Sequence, residues 1–316
     1  MFRRWLNRAA LEIAISPRGP ILIKSGQETA DPTRPGMEFV RTRHAAYGET
    51  VYLPGTSLKG AFRSQAERVL RGLGVDVCDP FHNGSRCRKA SRNRTEGTGR
   101  KKRSRPPTGA EVFAGQCPAC RTFGSLAVAG RCNVEDSYPE GNGVTPDSDA
   151  TETRWQVGID RRTGQAKGAA LFDLEVVVSG RFLTTIHLEN FSLWQLGLVA
   201  ALLQDMDHGD VPIGFGKSRG LGQVGVELRG LNLETLGRAA GTLAGAGALV
   251  AETEAREYDL DPGDVLSLDG DLEPVPTWRG QRLTLSGTQG AQLLERVLDG
   301  PLARWVDATA AEGGTP

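Results

Sequence analysis

An α+β fold is predicted by three features of the chain. Short segments alternate apolar and polar residues at the period of a strand, two longer segments carry apolar residues at helical spacing, and 41 glycines and 17 prolines separate them. Leu11-Glu12-Ile13-Ala14-Ile15 alternates, and after the turn Ser16-Pro17-Arg18-Gly19-Pro20 the run Ile21-Leu22-Ile23 reads as strand or a strand-like lead-in. Residues 24–38, with Gly26, Asp31, Pro32, Pro35 and Gly36, read as a loop. Thr56 or Ser57 suits a helix N-cap, and Leu58, Phe62, Val69 and Leu70 form an apolar stripe through residue 71. A strand is expected around 130–136, a long polar excursion or hairpin tip over 137–156, and strands over 171–178 and 182–188. An amphipathic helix over 193–206 and a glycine-rich segment lead into a closing strand ending near Leu228. Strand, helix, strand, strand, helix, strand is the ferredoxin-like order, with insertions between its elements.

The chain has 316 residues and 39% hydrophobic content, enough for one elaborated domain or two small ones. No stretch approaches the roughly 20 apolar residues of a membrane helix. The start Met1-Phe2-Arg3-Arg4-Trp5 opens no apolar run of signal-peptide length, so a cytoplasmic location is expected. The formal charge is zero but unevenly spread. Residues 231–316 carry six Lys/Arg against fourteen Asp/Glu, and the first 230 carry 32 against 24. A basic body favours a nucleic-acid partner, whereas residues 231–316 read as a separate acidic appendage with a helix near 291–298. With 6% aromatic residues, extensive base-stacking platforms are not expected.

Cys78, His82, Cys87, Cys117 and Cys120 bracket a strongly basic stretch, with nine Lys and Arg between residues 88 and 105 and Glu96 as the one acid among them. Cys117-Pro118-Ala119-Cys120 has the CxxC spacing of zinc ribbons, and the 78–87 cluster supplies the other two ligands with one to spare. Disulfides and buried structural thiols are the alternatives, and the donor types and spacing favour a closed structural Zn²⁺ site. Four or five candidate ligands leave no open position of the kind catalytic zinc keeps. Cys132 reads as a buried thiol.

The segment Gly214-x-Gly216-Lys217-Ser218-Arg219-Gly220-x-Gly222 lacks the GxxxxGK[ST] spacing and precedes a strand rather than a helix, so an ATP site is not expected. Its glycines allow backbone N–H groups to approach a phosphodiester, with Lys217 and Arg219 adding charge, although a tight turn needing positive φ explains them equally. The helix start near Lys59 and Arg63 is a second place for an anion.

Taken in order, Leu53-Pro54-Gly55-Thr56-Ser57-Leu58-Lys59-Gly60-Ala61-Phe62-Arg63, Phe123-Gly124-Ser125, Arg131 to Asp136, Val157 to Phe172 and the Gly214 to Gly222 loop resemble the RAMP superfamily subunits that form the backbone of type III CRISPR RNA-guided effector complexes. The resemblance covers about residues 11–228, and Ile159-Asp160-Arg161-x-Thr163-Gly164-x-Ala166 is its most specific part. It implies a modified ferredoxin-like, RNA-recognition-motif-like palm over residues 1–230. A zinc-bearing insertion would span about 76–122, and a thumb β-hairpin carrying Ile159, Arg161 and Thr163 about 137–166. Guide phosphates would be contacted by Lys59, Arg63, Arg131, Lys217, Ser218 and Arg219.

The resemblance further implies that copies of the chain stack along guide RNA with other effector subunits. Target RNA would be cut by a metal-dependent endoribonuclease activity, with a loop aspartate and a divalent metal such as Mg²⁺. Asp31 stands where that aspartate belongs, flanked here by Ala30 and Thr33 where relatives often carry apolar residues. A loop aspartate is otherwise a turn former. The expected zinc set is His82, Cys87, Cys117 and Cys120, with Cys78 as the leading replacement. An inert backbone subunit and a self-standing endoribonuclease processing guide RNA are the rival functions.

Overall fold

Strand β1 (Asn7–Pro17) buries Asn7, Ala9, Leu11 and Ile13 and turns Arg8, Ala10 and Glu12 outward. That alternation makes it the centre of a sheet with one face covered. The computed structural model describes residues 3–26, 35–46, 48–82, 85–88, 107–141, 149–237, 241–268 and 272–313. Within them β2 (Arg41–His44) and β3 (Gly48–Val51) form a hairpin, followed by α1 (Gly55–Gly72), α2 (Gly109–Ala114) and α3 (Pro118–Phe123). Then come β4 (Cys132–Val134), β5 (Tyr138–Pro139), β6 (Thr151–Ile159), β7 (Ala166–Val177), β8 (Phe182–Glu189), α4 (Leu193–His208) and β9 (Val224–Leu236). The remainder comprises β10 (Thr242–Ala244), α5 (Glu252–Glu257), β11 (Val265–Ser267), β12 (Val275–Pro276), β13 (Gly280–Ser286), α6 (Gly287–Val297) and α7 (Ala303–Gly313).

The main sheet runs β12-β13-β9-β1-β8-β4, all antiparallel, with β5 also paired to β8. Leu11 lies opposite Ile186 on one side and Leu231 on the other. The inner order β9-β1-β8-β4, with α1 between β1 and β4 in sequence and α4 between β8 and β9, is consistent with a ferredoxin-like fold. Leu58, Phe62, Leu196 and Leu203 of the helices join Leu11, Ile13 and Ile15 in one core. Each such fully buried aliphatic side chain contributes about 1.5–3 kcal/mol.

Three expectations are corrected. The strand expected at 171–178 exists as β7, but it pairs with β6 in a separate two-stranded ribbon instead of entering the main sheet. Residues 167–177 thus belong to the hairpin, whose returning arm extends well beyond residue 166. The boundary expected at residue 230 falls inside β9, and β13 continues the sheet beyond it. Leu231, Leu283, Leu285, Leu293 and Val297 share the core with β1, so the acidic residues decorate the outside of an integrated extension. Finally, α1 is capped by Pro54 rather than Thr56 or Ser57. Its start is pressed so closely onto β4 that a Cβ on Gly55 would lie 2.1 Å from the Val134 carbonyl. No helix of the described residues is long and apolar enough to cross a membrane.

The extension is tied to α4 by Asp264, whose Oδ2 accepts from the Leu193 N–H at 2.9 Å in the helix's first turn. Trp194 and Trp305 stack beside it at 4.1 Å. Burial pushes the Asp264 carboxyl up to about 6, with Asp261 adding to the rise and the Leu193 N–H and Arg304 opposing it. A carboxyl titrating higher in the folded than in the unfolded chain binds its proton preferentially in the folded state. The contribution of Asp264 to stability therefore falls as pH rises from about 4 to about 6 and is flat above that window. Asp264→Asn, which keeps an acceptor for Leu193, is expected to remove this slope and to gain up to about 2 kcal/mol over the native chain above pH 7. Urea titrations of both proteins at pH 4.5 and pH 7.5 check this, and an unchanged slope in the variant would assign the pH dependence elsewhere.

Candidate metal centre and nucleic-acid interface

Four buried thiols, Cys78, Cys87, Cys117 and Cys120, come together with all their sulphur atoms within 4.8 Å of one another. Cys117 Sγ lies 3.5 Å and Cys120 Sγ 3.6 Å from Cys78 Sγ, too far for disulfides. A regular tetrahedron with Zn–S bonds of 2.3 Å has edges of about 3.8 Å, so the cluster has the size and the donors of a four-thiolate metal site. The chain segments that bring them in are the turn after α1, the short turn at 85–88 and the N-terminus of α3.

Hydrogen bonds from Cys120 and Cys87 hold the Cys117 thiol well below its ordinary value, whereas burial first and the Cys117 charge second push Cys78 up to about 12. A cation among the four sulphurs would favour the thiolate form of each. The guanidinium of Arg63 donates to Cys120 Sγ at 3.4 Å and to the Gly124 carbonyl at 2.8 Å, while its Nε donates to Glu67 at 2.9 Å. It supports the sulphur cluster from outside, as outer-shell donors do at metal sites.

This geometry revises the expected ligand set. His82 is exposed and lies outside the four-sulphur group, and Cys78 takes the fourth position. Four thiolates saturate a tetrahedron, so nothing at this centre is left open for a reacting water. Cys132, fully buried with its thiol pushed up to about 12 by burial, is separate from it.

Two of the expected phosphate contacts are occupied within the fold. Arg131 is 1% exposed; it donates to the Asn190 carbonyl and to Gln195 Oε1 at 3.4 Å, and it lies 4.4 Å over the Phe113 ring. Burial pushes its pKa down to about 9. A phosphate cannot reach this side chain, which instead joins β4, α2 and the start of α4. Arg63 is engaged at the sulphur cluster. Lys59 is half-buried in α1, and the Gly55 N–H at the helix start already donates to Asp136 Oδ1 at 2.8 Å. A carboxylate of the chain therefore stands where an anion was expected.

The open face of the main sheet is no better suited to RNA. Its acids are matched by cations: Glu189 by Arg8, Glu140 by Arg181 and Arg229, Glu234 by Arg279 and Arg282. His187 bridges Arg8 and Glu135 at 2.9 and 2.7 Å. A guanidinium only donates, so His187 Nδ1 accepts from Arg8 while Nε2 faces Glu135, and both nitrogens are engaged. The central strands turn Arg8, Ala10, Glu12, Thr185 and His187 to this face, and the one ring among these five, His187, is tied to Arg8 and Glu135.

The glycine-rich loop and the hairpin are arranged differently. Gly214 and Gly222 have φ of +77° and +97°, and a Cβ on either would lie 2.2–2.3 Å from the carbonyl of Leu22 or Ile213. The loop thus folds tightly onto residues 20–22 and presents Lys217 and Ser218, both exposed, on a single 3-10 turn. Arg219 reaches instead to the hairpin, donating to Gln156 Oε1 at 3.2 Å and lying 5.4 Å from the Phe172 ring.

The hairpin itself projects Trp155 (67% exposed), Val157, Ile159 (58%) and Leu171 (63%), with Val157 directly across from Leu171. At its tip Asp160 Oδ1 accepts from the N–H groups of Arg162 at 2.8 Å and Thr163 at 3.0 Å, and these bonds, Thr163 first, hold its carboxyl below the usual carboxylate range. Arg161 and Thr163 are exposed there. The hairpin's root is pinned by Arg41, whose guanidinium forms a bidentate pair with Glu175, while Glu175 also accepts from the Phe39 N–H at 3.0 Å.

Asp31 lies outside the described residues, as does most of the basic stretch between Cys87 and Cys117. The flanks of the Asp31 loop are paired, Lys24 with Phe39 by a β-bridge and Ser25 N–H with the Glu38 carbonyl at 2.9 Å. They run beside the hairpin root, where Glu175 N–H donates to the Met37 carbonyl at 3.0 Å. Periodicity could not have found Gln156, Phe172 and Glu175 as neighbours of the loops, because their partners are distant in sequence. Ile159 was legible as part of the family-like hairpin segment, whereas the exposure of Leu171 was not, because it opens a run that alternates like a core strand.

No curated protein matches the sequence. A family model, the RAMP superfamily, matches residues 15–225. That span runs from the end of β1 into β9 and takes in the sulphur cluster, the hairpin and the glycine-rich loop, and at two thirds of its length the chain belongs to the RAMP superfamily.

Proposed function

We propose that the chain is a guide-RNA-binding backbone subunit of a type III CRISPR effector complex that also cuts bound target RNA. Family membership supports a role in a CRISPR-type RNA-binding effector system. The observation that carries the finer reading is the pairing of an exposed Lys217-Ser218 turn with a projecting hairpin whose outer residues are apolar. The loop suits the backbone of RNA, which is recognised without reading its sequence, and an apolar wedge suits unstacked bases. Guide and target RNA, further copies of the chain and other effector subunits are the partners in this reading. Lys217→Ala is expected to weaken RNA binding at physiological salt and to reduce the slope of log affinity against log salt by about one, measured by fluorescence anisotropy.

Asp31 is the proposed cutting residue. Its carboxylate would hold a divalent metal such as Mg²⁺ or assist removal of the 2′-hydroxyl proton, so that this oxygen attacks the adjacent phosphate. Support comes from the loop flanks, which lie at the hairpin root where a bound strand would pass. In the assembled complex Asp31→Ala is expected to slow target cleavage by a factor of about 10² or more, with guide binding unchanged. Cleavage at the native rate would leave this chain an inert backbone whose target is cut by another protein.

The four-cysteine centre is proposed to hold one structural Zn²⁺. Elemental analysis of the purified chain is expected to find one zinc per chain, lost in Cys78→Ser and Cys87→Ser and retained in His82→Ala. A chelator is expected to lower the melting temperature of the native chain and not of the cysteine variants. Zinc retained in Cys78→Ser would return the fourth position to His82.

A further inference from the structure

We propose that Trp5, Arg279 and Trp278 form a second contact for single-stranded RNA, a stacking platform built jointly by the N-terminal arm and the C-terminal extension. This rests on the RNA-binding reading and adds to it a site whose three residues lie outside residues 15–225, the span the RAMP family model matches. The tip of the β12–β13 hairpin is a two-residue turn: the Thr277 N–H donates to the Gly280 carbonyl at 2.7 Å, and Trp278 and Arg279 stand between them. Tight turns of this kind call for Gly, Asn or Asp, so nothing local asks for an indole there. Nor does burial account for it, because Trp278 is 93% exposed.

The groups beside it form a ladder of rings and a planar cation. The Arg279 guanidinium lies 4.3 Å over the Trp5 ring and 5.8 Å from the Trp278 ring. Backbone bonds hold the pieces together: the Leu236 N–H donates to the Leu6 carbonyl at 2.7 Å, next to Trp5, and the Gly237 N–H to the Arg279 carbonyl at 3.4 Å. Gly280 lets the turn close onto β9, since a Cβ there would lie 2.0 Å from the Thr235 carbonyl. A hollow of about 490 Å³ opens beside Trp5, with Arg3, Arg4, Asn133 and Glu189 also in its lining.

Charge at this corner selects a polyanion. Arg3, Arg4, Arg8, Arg279 and Arg282 stand here, and the carboxylates they pair with are three, Glu189, Glu234 and Glu254. The Glu234 side chain is 15% exposed against 52% for that of Arg282, so the guanidinium side of this group faces outward. The corner is thus basic although the extension as a whole is acidic. A phosphate backbone crossing it would meet cations set between rings on which bases of any sequence stack. Val275 and Leu236 are exposed on the strands beside the turn, and with Trp278 they would offer an apolar patch to a protein. The arginines among them favour the nucleic acid.

Strand β1 separates this platform from the glycine-rich loop. Trp5 precedes its first residue, whereas Pro17 at its other end lies opposite Val224, next to that loop. At about 3.3 Å per residue the strand puts the two roughly 35 Å apart, so a single strand of about ten stacked nucleotides would span both.

The test uses the full chain and a single-stranded RNA of about 20 nucleotides, long enough to reach both places, with 5-iodouridine at every uridine, irradiated and mapped by mass spectrometry. The expected result is a cross-link on the peptide containing Trp278. Trp278→Leu, at an exposed position and therefore folded as the native chain is, is expected to abolish that cross-link and weaken RNA binding by about 5- to 100-fold, and Trp278→Phe, which keeps a ring, to restore most of both. Lys217→Ala weakens binding but leaves the cross-link at Trp278. If the native chain binds RNA and cross-links only elsewhere, or if Trp278→Leu binds RNA as the native chain does, the platform is overturned and RNA binding stands. Unchanged RNA binding by Trp278→Leu together with altered self-association in sedimentation would assign the ring to a protein contact instead. If the native chain binds no RNA, the proposed function falls and the platform falls with it.

Discussion

The meeting of four sulphur atoms is the constraint from which much of the remaining geometry follows. Cys78 ends the turn after α1, Cys87 lies in the 85–88 turn, and Cys117 and Cys120 start α3, so the cluster fixes three segments that share no sheet. From α3 the chain passes through Gly124 and returns at Gly130 so closely that a Cβ on Gly124 would lie 2.8 Å from the Gly130 N atom, and the Arg131 N–H then donates to the Thr122 carbonyl at 2.8 Å. That crossing starts β4. The position of the outer strand of the inner sheet therefore depends on where the sulphurs hold α3. An insertion of this length carries a large ordering entropy, which a cation held among the four sulphurs would help to offset. The remaining anchor is the C-terminal extension, where Phe113 and Val112 of α2 pack with Ala255 and Leu260, and Arg121 pairs with Asp259 at 2.6 Å.

This explains why charge alone is a poor guide to the interface. Three arginines that pack at the insertion are structural: Arg63 serves the sulphurs, Arg121 the extension and Arg131 the junction of β4 with α4. The acidic tail is likewise part of the architecture, since Asp259 and Asp264 are the residues that fasten it to the insertion and to α4. On the open sheet face the arginines lie in ion pairs with glutamates. Exposed pairs of that kind add little stability, but they do engage these arginines with carboxylates of the chain. The cations that remain available in the described residues at the glycine-rich loop are few, and their effect depends on backbone geometry that only glycine permits.

Much of the main architecture was legible because its signals are local. β1, α1, β8 and α4 each show their own periodicity within a dozen or so residues, and the order of those elements carries the inner sheet. The cysteine cluster was legible as chemistry but not as a ligand set, because Cys78 and His82 are four residues apart and only the path of the turn after α1 decides which sulphur or nitrogen faces Cys117. The failures have the same origin. β7 alternates like a core strand, yet its pairing partner is β6, and its outward Leu171 is exposed because the ribbon stands off the body. The boundary at residue 230 was drawn from charge composition, which reports the surface, while Leu231, Leu233, Leu283 and Leu285 report the core. Arg131 reads as a phosphate ligand in sequence, and nothing local reveals that Phe113, eighteen residues earlier, stacks beneath it.

An isolated two-stranded ribbon is marginal in water, so the hairpin's direction must come from its root. Contacts at the body end of β7 supply it, among them the Ile21 bridge to Val177, the Met37 bridge to Leu174, the bidentate Arg41–Glu175 pair, and the Asp173 carboxylate accepting from the Gly36 N–H at 2.9 Å. Another, Arg219 against Gln156 and Phe172, acts farther along the ribbon and comes from the glycine-rich loop. The side chain that braces the ribbon therefore comes from the same turn that exposes Lys217 and Ser218. A strand of RNA lying across both elements would thus be gripped by two surfaces that are already in mechanical register, with the tight Gly214 and Gly222 turns keeping that register against residues 20–22.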